Sequence, residues 1–305
     1  MILRRKDTRK RRIASVGMMD GVHAGHRFLI DFLCAQGKQL QLAPAIVTFD
    51  DHPLTTVCPE RAPKLLSTPE RKLAMLSDSA VEDVLVLNFN HRMSRMSARS
   101  FLKMLHHRWG VDALVVGFNN RFGRDRAEGV EAYCAIGSEI GITVVEAPEL
   151  MAVDSAPLSS SAIRRHLEQG DVHEASVMLG RPYIIYGTVV HGQALGRQLG
   201  FPTANISVES PRVLVPAAGV YAGRLLTPDG ESRAAMINIG VRPTVSGPDA
   251  EPTIEAHILD FSGDLYGAPV GLEFVARVRD ERRFESVEAL KRQLHKDRKQ
   301  VVKLL

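Results

Sequence analysis

The amino-acid sequence predicts two domains: an N-terminal α/β, Rossmann-like domain with a parallel sheet, and a C-terminal antiparallel β-barrel with a terminal α-helix. The chain has 305 residues, of which 45% are hydrophobic and 24% charged, which is enough for two cores. Short apolar runs alternate with helical patterns as far as residue 147, and strand patterns predominate beyond Gly180-Arg-Pro182. We therefore place the domains at residues 13–180 and 181–305.

Short apolar runs predict the strands of the first domain. They cover residues 13–17, 44–49, 83–87, 113–117 and 142–145, with helical patterns at 27–36, 69–77, 98–108 and 128–139. Thr68 followed by Pro69 is a good helix start, because Thr can cap free N–H groups and Pro fits the first helical position. This alternation favours a parallel sheet, which binds ligands outside the carboxyl ends of its strands.

The second domain reads mostly as strands separated by turns. The predicted strands are residues 183–190, 220–226, 234–239, 253–259 and 272–278, and turn signals include Pro228-Asp-Gly230 and Ser246-Gly-Pro248. Short helical pieces at 167–170 and 172–179 precede them. Consecutive short strands with glycine-rich turns favour a closed barrel over an open sheet. One last helix is predicted after Ser286, which can cap it.

Charge and cysteine content narrow the class of protein. The formal net charge is +4 and the pI about 9.0, but much of the excess lies in a basic leader, residues 4–12, which we expect to be solvated and partly disordered. Three cysteines, Cys34, Cys58 and Cys134, form no CxxC pair, so neither a disulfide framework nor a zinc site is expected. No apolar run reaches the roughly 18–20 residues that span a bilayer. We expect a cytoplasmic protein without nucleic-acid or membrane partners, and the oligomeric state stays open.

The stretch from residue 187 to residue 205 is rich in glycine and ends in polar side chains. Glycines let a backbone lie close against phosphates, and the candidates are Gly192, Gly196 and Gly200. The Thr203 hydroxyl and the Asn205 carbonyl follow Pro202, and both are hard oxygen donors suited to Mg²⁺. Spacing alone fits equally well a glycine-rich hairpin whose Thr and Asn satisfy a turn.

Two histidines lie just after the first predicted strand, in the segment Asp20-Gly-Val-His-Ala-Gly-His26. Paired histidines in a loop are often incidental. Here, however, His23 and His26 stand at the entry to a helix, whose free N–H groups attract phosphate oxygens. Their N–H groups can stabilise the charge that develops on a transferring phosphate, so this placement favours a catalytic role.

Two further polar positions are candidates, each with a structural alternative. Ser159-Ser-Ser161 can cap a helix, and Arg164 one turn later can bind a phosphate with two hydrogen bonds; the alternative is a capped helix with an exposed arginine. Glu255 lies in the middle of a predicted strand, on the same face as Thr253 and His257. Its alternative is a solvent-facing carboxylate.

The segment Gly-x-x-x-Gly-Arg-x-Leu-Gly-Phe-Pro-Thr-Ala-Asn, which ends at Asn205, resembles the signature of riboflavin kinases. The resemblance implies a small antiparallel barrel in which Thr203 and Asn205 hold the metal of MgATP. The strand Thr253-Ile-Glu-Ala-His257 resembles the Glu-x-His strand of the same family, which makes Glu255 the base for the ribityl 5′-hydroxyl.

The His-Ala-Gly-His segment resembles the signature of nucleotidyltransferases, and the wider sequence is similar to bacterial bifunctional riboflavin kinase/FAD synthetases. Supporting blocks are Thr48-Phe-Asp-Asp-His-Pro53, Val116-Gly-Phe-Asn-Asn-Arg-Phe-Gly123, Asn238-Ile-Gly-Val-Arg-Pro-Thr244 and Arg279-Asp-Glu-Arg-Arg-Phe284. The resemblance runs from about residue 13 to about residue 297 and leaves the basic leader outside. It implies that ATP phosphates bind Ser160, Ser161 and Arg164, and that flavin contacts Asn119, Arg279 and Phe284.

The resemblance predicts a bifunctional enzyme that converts riboflavin into FMN and FMN into FAD, with ATP as the second substrate of each step and Mg²⁺ as cofactor. Two departures from the family pattern are Met19 in place of Phe and the pair Asn119-Asn120. The first is a mild packing change, whereas Asn120 weakens an expected ligand contact. One alternative is a riboflavin kinase with a degenerate, regulatory nucleotide-binding domain. Another is a nucleic-acid or flavin-storage module that uses the basic leader.

Overall fold

The computed structural model describes residues 1–117, 122–125, 129–148, 158–192, 195–241 and 252–305. The chain divides into two compact units, Met1–Leu158 and Ser159–Leu305. The domain limits of 13–180 and 181–305 stay a prediction. Over the part of the chain that the structure describes, no helix is both long and apolar enough to cross a membrane.

The first unit contains a sheet of six strands, all parallel, in the order β1-β4-β3-β2-β5-β6. In chain order its elements are β1 (Ile2–Leu3), β2 (Arg12–Val16), α1 (Ala24–Leu40), β3 (Ala43–Phe49), α2 (Pro53–Val57), α3 (Pro69–Ser77), β4 (Asp83–Leu87), α4 (His91–Ser94), α5 (Ala98–Trp109), β5 (Val111–Val116), α6 (Val130–Ile140) and β6 (Thr143–Glu146). Two 3-10 turns, Asp20–Val22 and Pro59–Arg61, lie between them. The predicted α/β class with a parallel sheet is confirmed.

Alternation along the strands supplies a core on each face of the sheet. Ala14 and Val16 pack with α5 and α6 on one face, and Ile13 packs with α1 and α3 on the other. Thr68 caps α3 as predicted, since its side chain accepts a hydrogen bond from the N–H of Arg71. The carboxyl end of β2 leads directly into the His-containing segment that starts α1.

The prediction that the basic leader is partly disordered is wrong. Strand β1 pairs with β4, and Arg12 is the fully buried first residue of β2. Its guanidinium donates to the carboxylates of Asp7 and Asp83, both at 2.9 Å, and to the carbonyl of Trp109. A buried arginine needs such partners, because an unpaired buried charge is costly. The other basic residues of the leader are exposed, as expected.

The second unit begins with two helices and continues as a closed antiparallel barrel in the order β10-β11-β8-β7-β12-β9. In chain order its elements are α7 (Ser160–Gln169), α8 (Val172–Leu179), β7 (Tyr183–Val190), α9 (Leu195–Gln198), β8 (Ala204–Val208), β9 (Gly219–Leu226), β10 (Ser232–Val241), β11 (Pro252–Ile258), β12 (Pro269–Arg279) and α10 (Val287–Leu304). The predicted barrel and terminal helix are confirmed. Strand β8 was not predicted.

The barrel separates an apolar interior from a partly covered outer face. Ile254, Ala256 and Ile258 of β11 are buried, whereas Glu255 between them is half-buried. His257 shares the outer face with Glu255 but is buried, because its ring lies 5.1 Å from the ring of Phe201. The residues around Glu255 are therefore sheltered from solvent.

Candidate active sites

Strand register brings three polar residues of the barrel into one row. Glu255 of β11 lies opposite Asn205 of β8 and, on its other side, opposite Asn238 of β10. Residues directly opposite one another in antiparallel strands have their Cβ atoms roughly 5 Å apart on the same face. The row therefore places a carboxylate between two amides.

Thr203 joins this row from the segment just before β8. Its Oγ1 donates a hydrogen bond to Oε2 of Glu255 at 3.3 Å. The preceding residue is held as well, because Nδ1 of His257 lies 2.8 Å from the carbonyl of Pro202 and must carry the hydrogen of that bond. Since the Thr203 hydrogen points at the carboxylate, the lone pairs of the hydroxyl stay available for a cation.

Two of the predicted glycines make room for these donors. A Cβ added at Gly192 would overlap the side-chain amide of Asn205, and one added at Gly196 would overlap the carbonyl of Phe201 and lie 3.2 Å from Oγ1 of Thr203. Gly200 differs: it has φ +82 and open space around it, so it is required by a turn. Gly192 and Gly196 thus allow the backbone to pack closely against Thr203 and Asn205, the predicted metal ligands.

The donor set fits a divalent cation that arrives with a nucleotide. Thr203 supplies a hydroxyl and Asn205 a carbonyl, both oxygen ligands of the kind that Mg²⁺ accepts. Among the described residues, no group of three or more His, Cys, Asp or Glu side chains is arranged to hold a metal ion. Phosphate oxygens and water would therefore supply most of the ligands of such a cation.

A cavity of about 470 Å³ lies beside Thr203 and was not predicted. Its walls include inner-face residues of the barrel, Ala256 and Ile258 among them, together with Arg197 and the loop at residues 261–266. Tyr266 of that loop stacks on His191, with ring centroids 3.9 Å apart. The signal available in the sequence was two aromatic residues, Phe261 and Tyr266, in a glycine-containing segment between two predicted strands.

Arg279 and Phe284, predicted to contact flavin, lie together at the end of β12 and just beyond it. The guanidinium of Arg279 pairs with the buried carboxylate of Asp297 on α10, at 2.9 Å from Nε and 2.8 Å from Nη2. The same guanidinium lies 5.6 Å from the ring centroid of Phe284. Arg279 therefore orients the segment that carries Phe284, and the flavin contact of both residues stays a prediction.

In the first unit, the structure brings the two predicted histidines together. His23 precedes α1 and its Nδ1 accepts a hydrogen bond from the backbone N–H of His26 at 3.3 Å. The two rings are stacked, with centroids 3.6 Å apart. Burial, reinforced by the nearby charges of His23 and Lys72, holds the pKa of His26 well below its usual value. His26 is therefore neutral at pH 7, with one ring N–H to donate.

The loop that carries these histidines has a strained backbone. Met19 and Val22 adopt positive φ angles of 52° and 37°, which are unusual for residues with a Cβ and most of all for a β-branched residue. Between them, the buried carboxylate of Asp20 accepts hydrogen bonds from the N–H groups of Leu66 and Ser67. Strain of this kind is found where a binding site fixes the backbone.

The predicted phosphate-binding residues Ser160, Ser161 and Arg164 share helix α7, which groups with the second unit. Ser159 caps this helix by accepting a hydrogen bond from the N–H of Ala162 at 3.2 Å. Arg164 is buried and Ser161 exposed. Their role in binding ATP stays a prediction. The predicted flavin residue Asn119 and its neighbour Asn120 lie outside the described residues.

Comparison with known proteins identifies a family for each part of the chain. The family model for FAD synthetase matches residues 5–162, and the model for riboflavin kinase matches residues 179–305. The first match begins at residue 5, so most of the basic leader belongs to the family's sequence; our expectation that it lay outside is wrong.

Three relatives that share one name match most of the chain. Each is a bifunctional riboflavin kinase/FMN adenylyltransferase. The protein of Pseudomonas fluorescens is 39% identical over 93% of this chain and 90% of its own length, and that of Escherichia coli K12 is 34% identical over the same shares. The Bacillus subtilis protein is 32% identical over 98% of this chain and 94% of its own length.

A solved structure is similar over nearly the whole chain. It is titled a macrolide-efflux protein from Streptococcus pneumoniae, and it is 27% identical with a TM-score of 0.88, covering 98% of this chain and 97% of its own. Neither of the two family models that match this chain describes a transporter.

Proposed function

The chain belongs to the family of bifunctional riboflavin kinases/FMN adenylyltransferases, and from that premise we propose that its two reactions occur at separate sites, one at Glu255 and one at the stacked histidines. The enzyme phosphorylates riboflavin to FMN and adenylylates FMN to FAD, using ATP in both steps. Because both family models match, the alternative of a kinase with a degenerate first domain is not supported. The binding-module alternative has no support from the comparisons either.

In the kinase reaction, Glu255 accepts the proton of the ribityl 5′-hydroxyl as its oxygen bonds to the γ-phosphorus of ATP and the bond to ADP breaks. Phosphoryl transfer depends mainly on alignment and charge neutralisation, so one carboxylate suffices as base. The hydrogen bond from Thr203 orients this carboxylate. The hydrogen-bonded pair, flanked by Asn205, is the observation that carries the assignment.

Thr203 and Asn205 are the proposed ligands of Mg²⁺, as the sequence predicted. A Mg²⁺ ion held by these two residues would neutralise negative charge on the phosphates of ATP. Gly192 and Gly196 keep the backbone close to both ligands, so that phosphates can approach. The adjacent cavity of about 470 Å³, which includes Arg197 in its wall, is the proposed place for the base and ribose of ATP.

In adenylyl transfer, a phosphate oxygen of FMN bonds to the α-phosphorus of ATP, and the bond to pyrophosphate breaks. His23 and His26 donate hydrogen bonds to the phosphate oxygens as charge develops on them. Ser160, Ser161 and Arg164 are the proposed clamp for the phosphates that leave. The proposed flavin contacts are Asn119 in the first unit and, in the second unit, Arg279 and Phe284.

The proposed location is the cytoplasm, because both reactions consume ATP. Small anionic substrates suit a chain with a net charge of only +4, so neither nucleic acid nor a membrane is a proposed partner.

Two variants assayed for both products test the assignment of sites. Glu255→Gln removes the base and is expected to lower FMN formation by a factor of roughly 10² to 10⁴ while the conversion of FMN into FAD is retained. His26→Asn is expected to lower the conversion of FMN into FAD while FMN formation is retained. FMN and FAD are resolved by chromatography after incubation with riboflavin or FMN and MgATP.

The matched controls are Glu273→Gln, a second half-buried carboxylate of the barrel, and His107→Asn, an exposed histidine of α5. Both are expected to keep both activities. If Glu255→Gln lost FMN and FAD formation together when supplied with their separate substrates, the two-site assignment would be wrong.

A further inference from the structure

Lys72 is a buried lysine that none of the proposed roles uses. It lies on α3, is 2% exposed, and donates a hydrogen bond from Nζ to the carbonyl of Phe49 at 2.7 Å. Phe49 is the last residue of β3, at the edge of the sheet where ligands bind. Lysine is almost never buried without a partner of opposite charge, so its surroundings need to be accounted for.

Carboxylates surround this ammonium group at the ends of two strands. Asp20 follows β2, Asp50 and Asp51 follow β3, and all three share with Lys72 the wall of a small cavity of about 10 Å³. That space is about enough for one water molecule. The Oγ atom of Ser67, whose residue lines the same cavity, is buried and has no hydrogen-bond partner among the described residues.

The Lys72 ammonium is also coupled to the strained turn that leads to His23 and His26. Asp20 lies in the strained turn that leads to His23, and it ties this turn to the segment before α3 through the N–H groups of Leu66 and Ser67. The charge of Lys72 is felt at His26, where it helps to keep the imidazole neutral. Lys72 therefore connects α3, the end of β3 and the turn that holds both histidines.

We propose that Lys72 is a positioning residue for adenylyl transfer, whose buried positive charge holds the carboxylates at the ends of β2 and β3 together and so fixes the turn that carries His23 and His26. Without this charge the carboxylates repel one another, and the strained turn relaxes. A displacement of about 1 Å in a catalytic group can cost about a hundredfold in rate. The inference rests on the proposed adenylyl-transfer site.

The charge of Lys72 is sensitive to pH in a range where the enzyme can be assayed. Burial lowers its pKa to about 8, although Asp20, Asp50 and Asp51 oppose this shift. Two histidines are also near it: His52, on the cavity wall, and His26, on which the charge of Lys72 acts. His26, whose pKa is held well below its usual value, stays neutral above pH 7, whereas the Lys72 ammonium loses its proton in that range.

The test compares adenylylation with kinase activity in the same molecules. Lys72→Met, which is similar in length and uncharged, is expected to lower kcat for FMN adenylylation by roughly tenfold to a hundredfold, with KM for ATP and the kinase rate changed by less than about threefold. Lys103→Met, an exposed lysine on α5, is the matched control and should keep both activities. Thermal unfolding of each variant reports whether the first unit is folded.

The pH profile supplies a readout that needs no folded Met variant. In the wild type, the ratio of adenylylation to kinase rate is expected to fall by about tenfold per pH unit above about pH 8, as the ammonium loses its proton. Lys72→Arg stays charged, so its ratio should remain level over the same range. A constant ratio in the wild type, or full adenylylation by a folded Lys72→Met protein, would overturn the inference. If His26→Asn also kept full adenylylation, the proposed site itself would be wrong.

Discussion

The two candidate sites are held in place by different physical means. In the barrel, register across β10, β11 and β8 aligns the polar row, and absent side chains at Gly192 and Gly196 let the donors lie against the backbone. In the α/β unit, loops at the ends of parallel strands carry the histidines, and buried charges hold these loops. We therefore expect the barrel site to be sensitive to added volume and the loop site to be sensitive to a change of buried charge. The comparison therefore predicts different responses of the two activities.

Buried charges of the α/β unit lie at both ends of its parallel strands. Lys72 is near the carboxyl ends, and Arg12 with its two carboxylate partners is at the amino ends of β2 and β4. Ion pairs of this kind contribute little when intact compared with apolar packing, but breaking one leaves a charge buried without its partner. The α/β unit should therefore tolerate loss of an exposed charge but be destabilised by loss of Arg12, whose removal leaves two carboxylates buried without their partner.

The largest expected effect is that of Arg12→Met. It leaves the carboxylates of Asp7 and Asp83 buried without their guanidinium, and it should lower the free energy of unfolding of the first unit by about 3–5 kcal/mol. Chemical denaturation, followed by both activities, is the measurement: adenylylation should be lost at a lower urea concentration than kinase activity.

Arg11→Met is the control for this experiment. Arg11 is 79% exposed and pairs with Asp112 at the surface, so its replacement should change the free energy of unfolding by less than about 1 kcal/mol. A similar small change for Arg12→Met would contradict the view that buried charge holds the α/β unit together.

Local sequence patterns correctly predicted those helices and strands whose limits are set by residues within the element itself. Residues 183–190 and 69–77 were placed with the bounds that the structure has, because alternation and a Thr-Pro cap act within one element. The candidate residues Thr203, Asn205 and Glu255 came from the motif resemblance, and register brings them together. Their catalytic roles remain proposals.

The remaining features depend on contacts between distant parts of the chain. Strand β8 was missed because it follows a glycine-rich segment, and β1 has only two residues, whose pairing with β4 no local pattern reveals. His257 was assigned to the face of Glu255, but its burial by Phe201 is a tertiary effect. Lys72 did leave a signal in the sequence, since it lies next to Leu73 and four residues before Leu76 on the buried side of α3.

A smaller effect is expected in the pH dependence of stability. The pKa of Lys72 is about 8 in the folded protein and close to 10.5 when unfolded. Between these values the unfolded state binds more protons, so wild-type stability rises with pH through this interval, and the burial of the charged form costs stability below it. The pKa difference corresponds to about 3 kcal/mol. Comparing wild type with Lys72→Met from about pH 7 to about pH 10.5 isolates this contribution.

The difference in the free energy of unfolding between the two proteins should change by this amount in favour of the wild type. Urea denaturation at each pH measures it. A difference that is independent of pH would mean that the pKa of Lys72 is not lowered by burial. The view that buried charge distinguishes the α/β site from the barrel site would then be wrong.

The smallest of these effects concerns volume in the barrel site. A Cβ at Gly192 would overlap the side-chain amide of Asn205, so Gly192→Ala must displace a proposed metal ligand. Because the amide is at the end of a short flexible side chain, it can move, and we expect kinase kcat/KM for MgATP to fall by about tenfold to a hundredfold. Raising the Mg²⁺ concentration should recover part of the loss, whereas adenylylation of FMN should be unchanged.

Gly230→Ala separates this clash from the loss of backbone freedom. Gly230 has φ +85 in a turn of the barrel, and nothing lies within 4 Å of an added Cβ. Alanine there strains the backbone by about 1 kcal/mol without touching the polar row, so the fold is weakened while the kinase keeps its rate. Equal loss of kinase activity in both variants would mean that barrel stability, and not the position of Asn205, limits the reaction. Loss in Gly192→Ala alone, relieved by Mg²⁺, would tie the glycine to the ligand it makes room for.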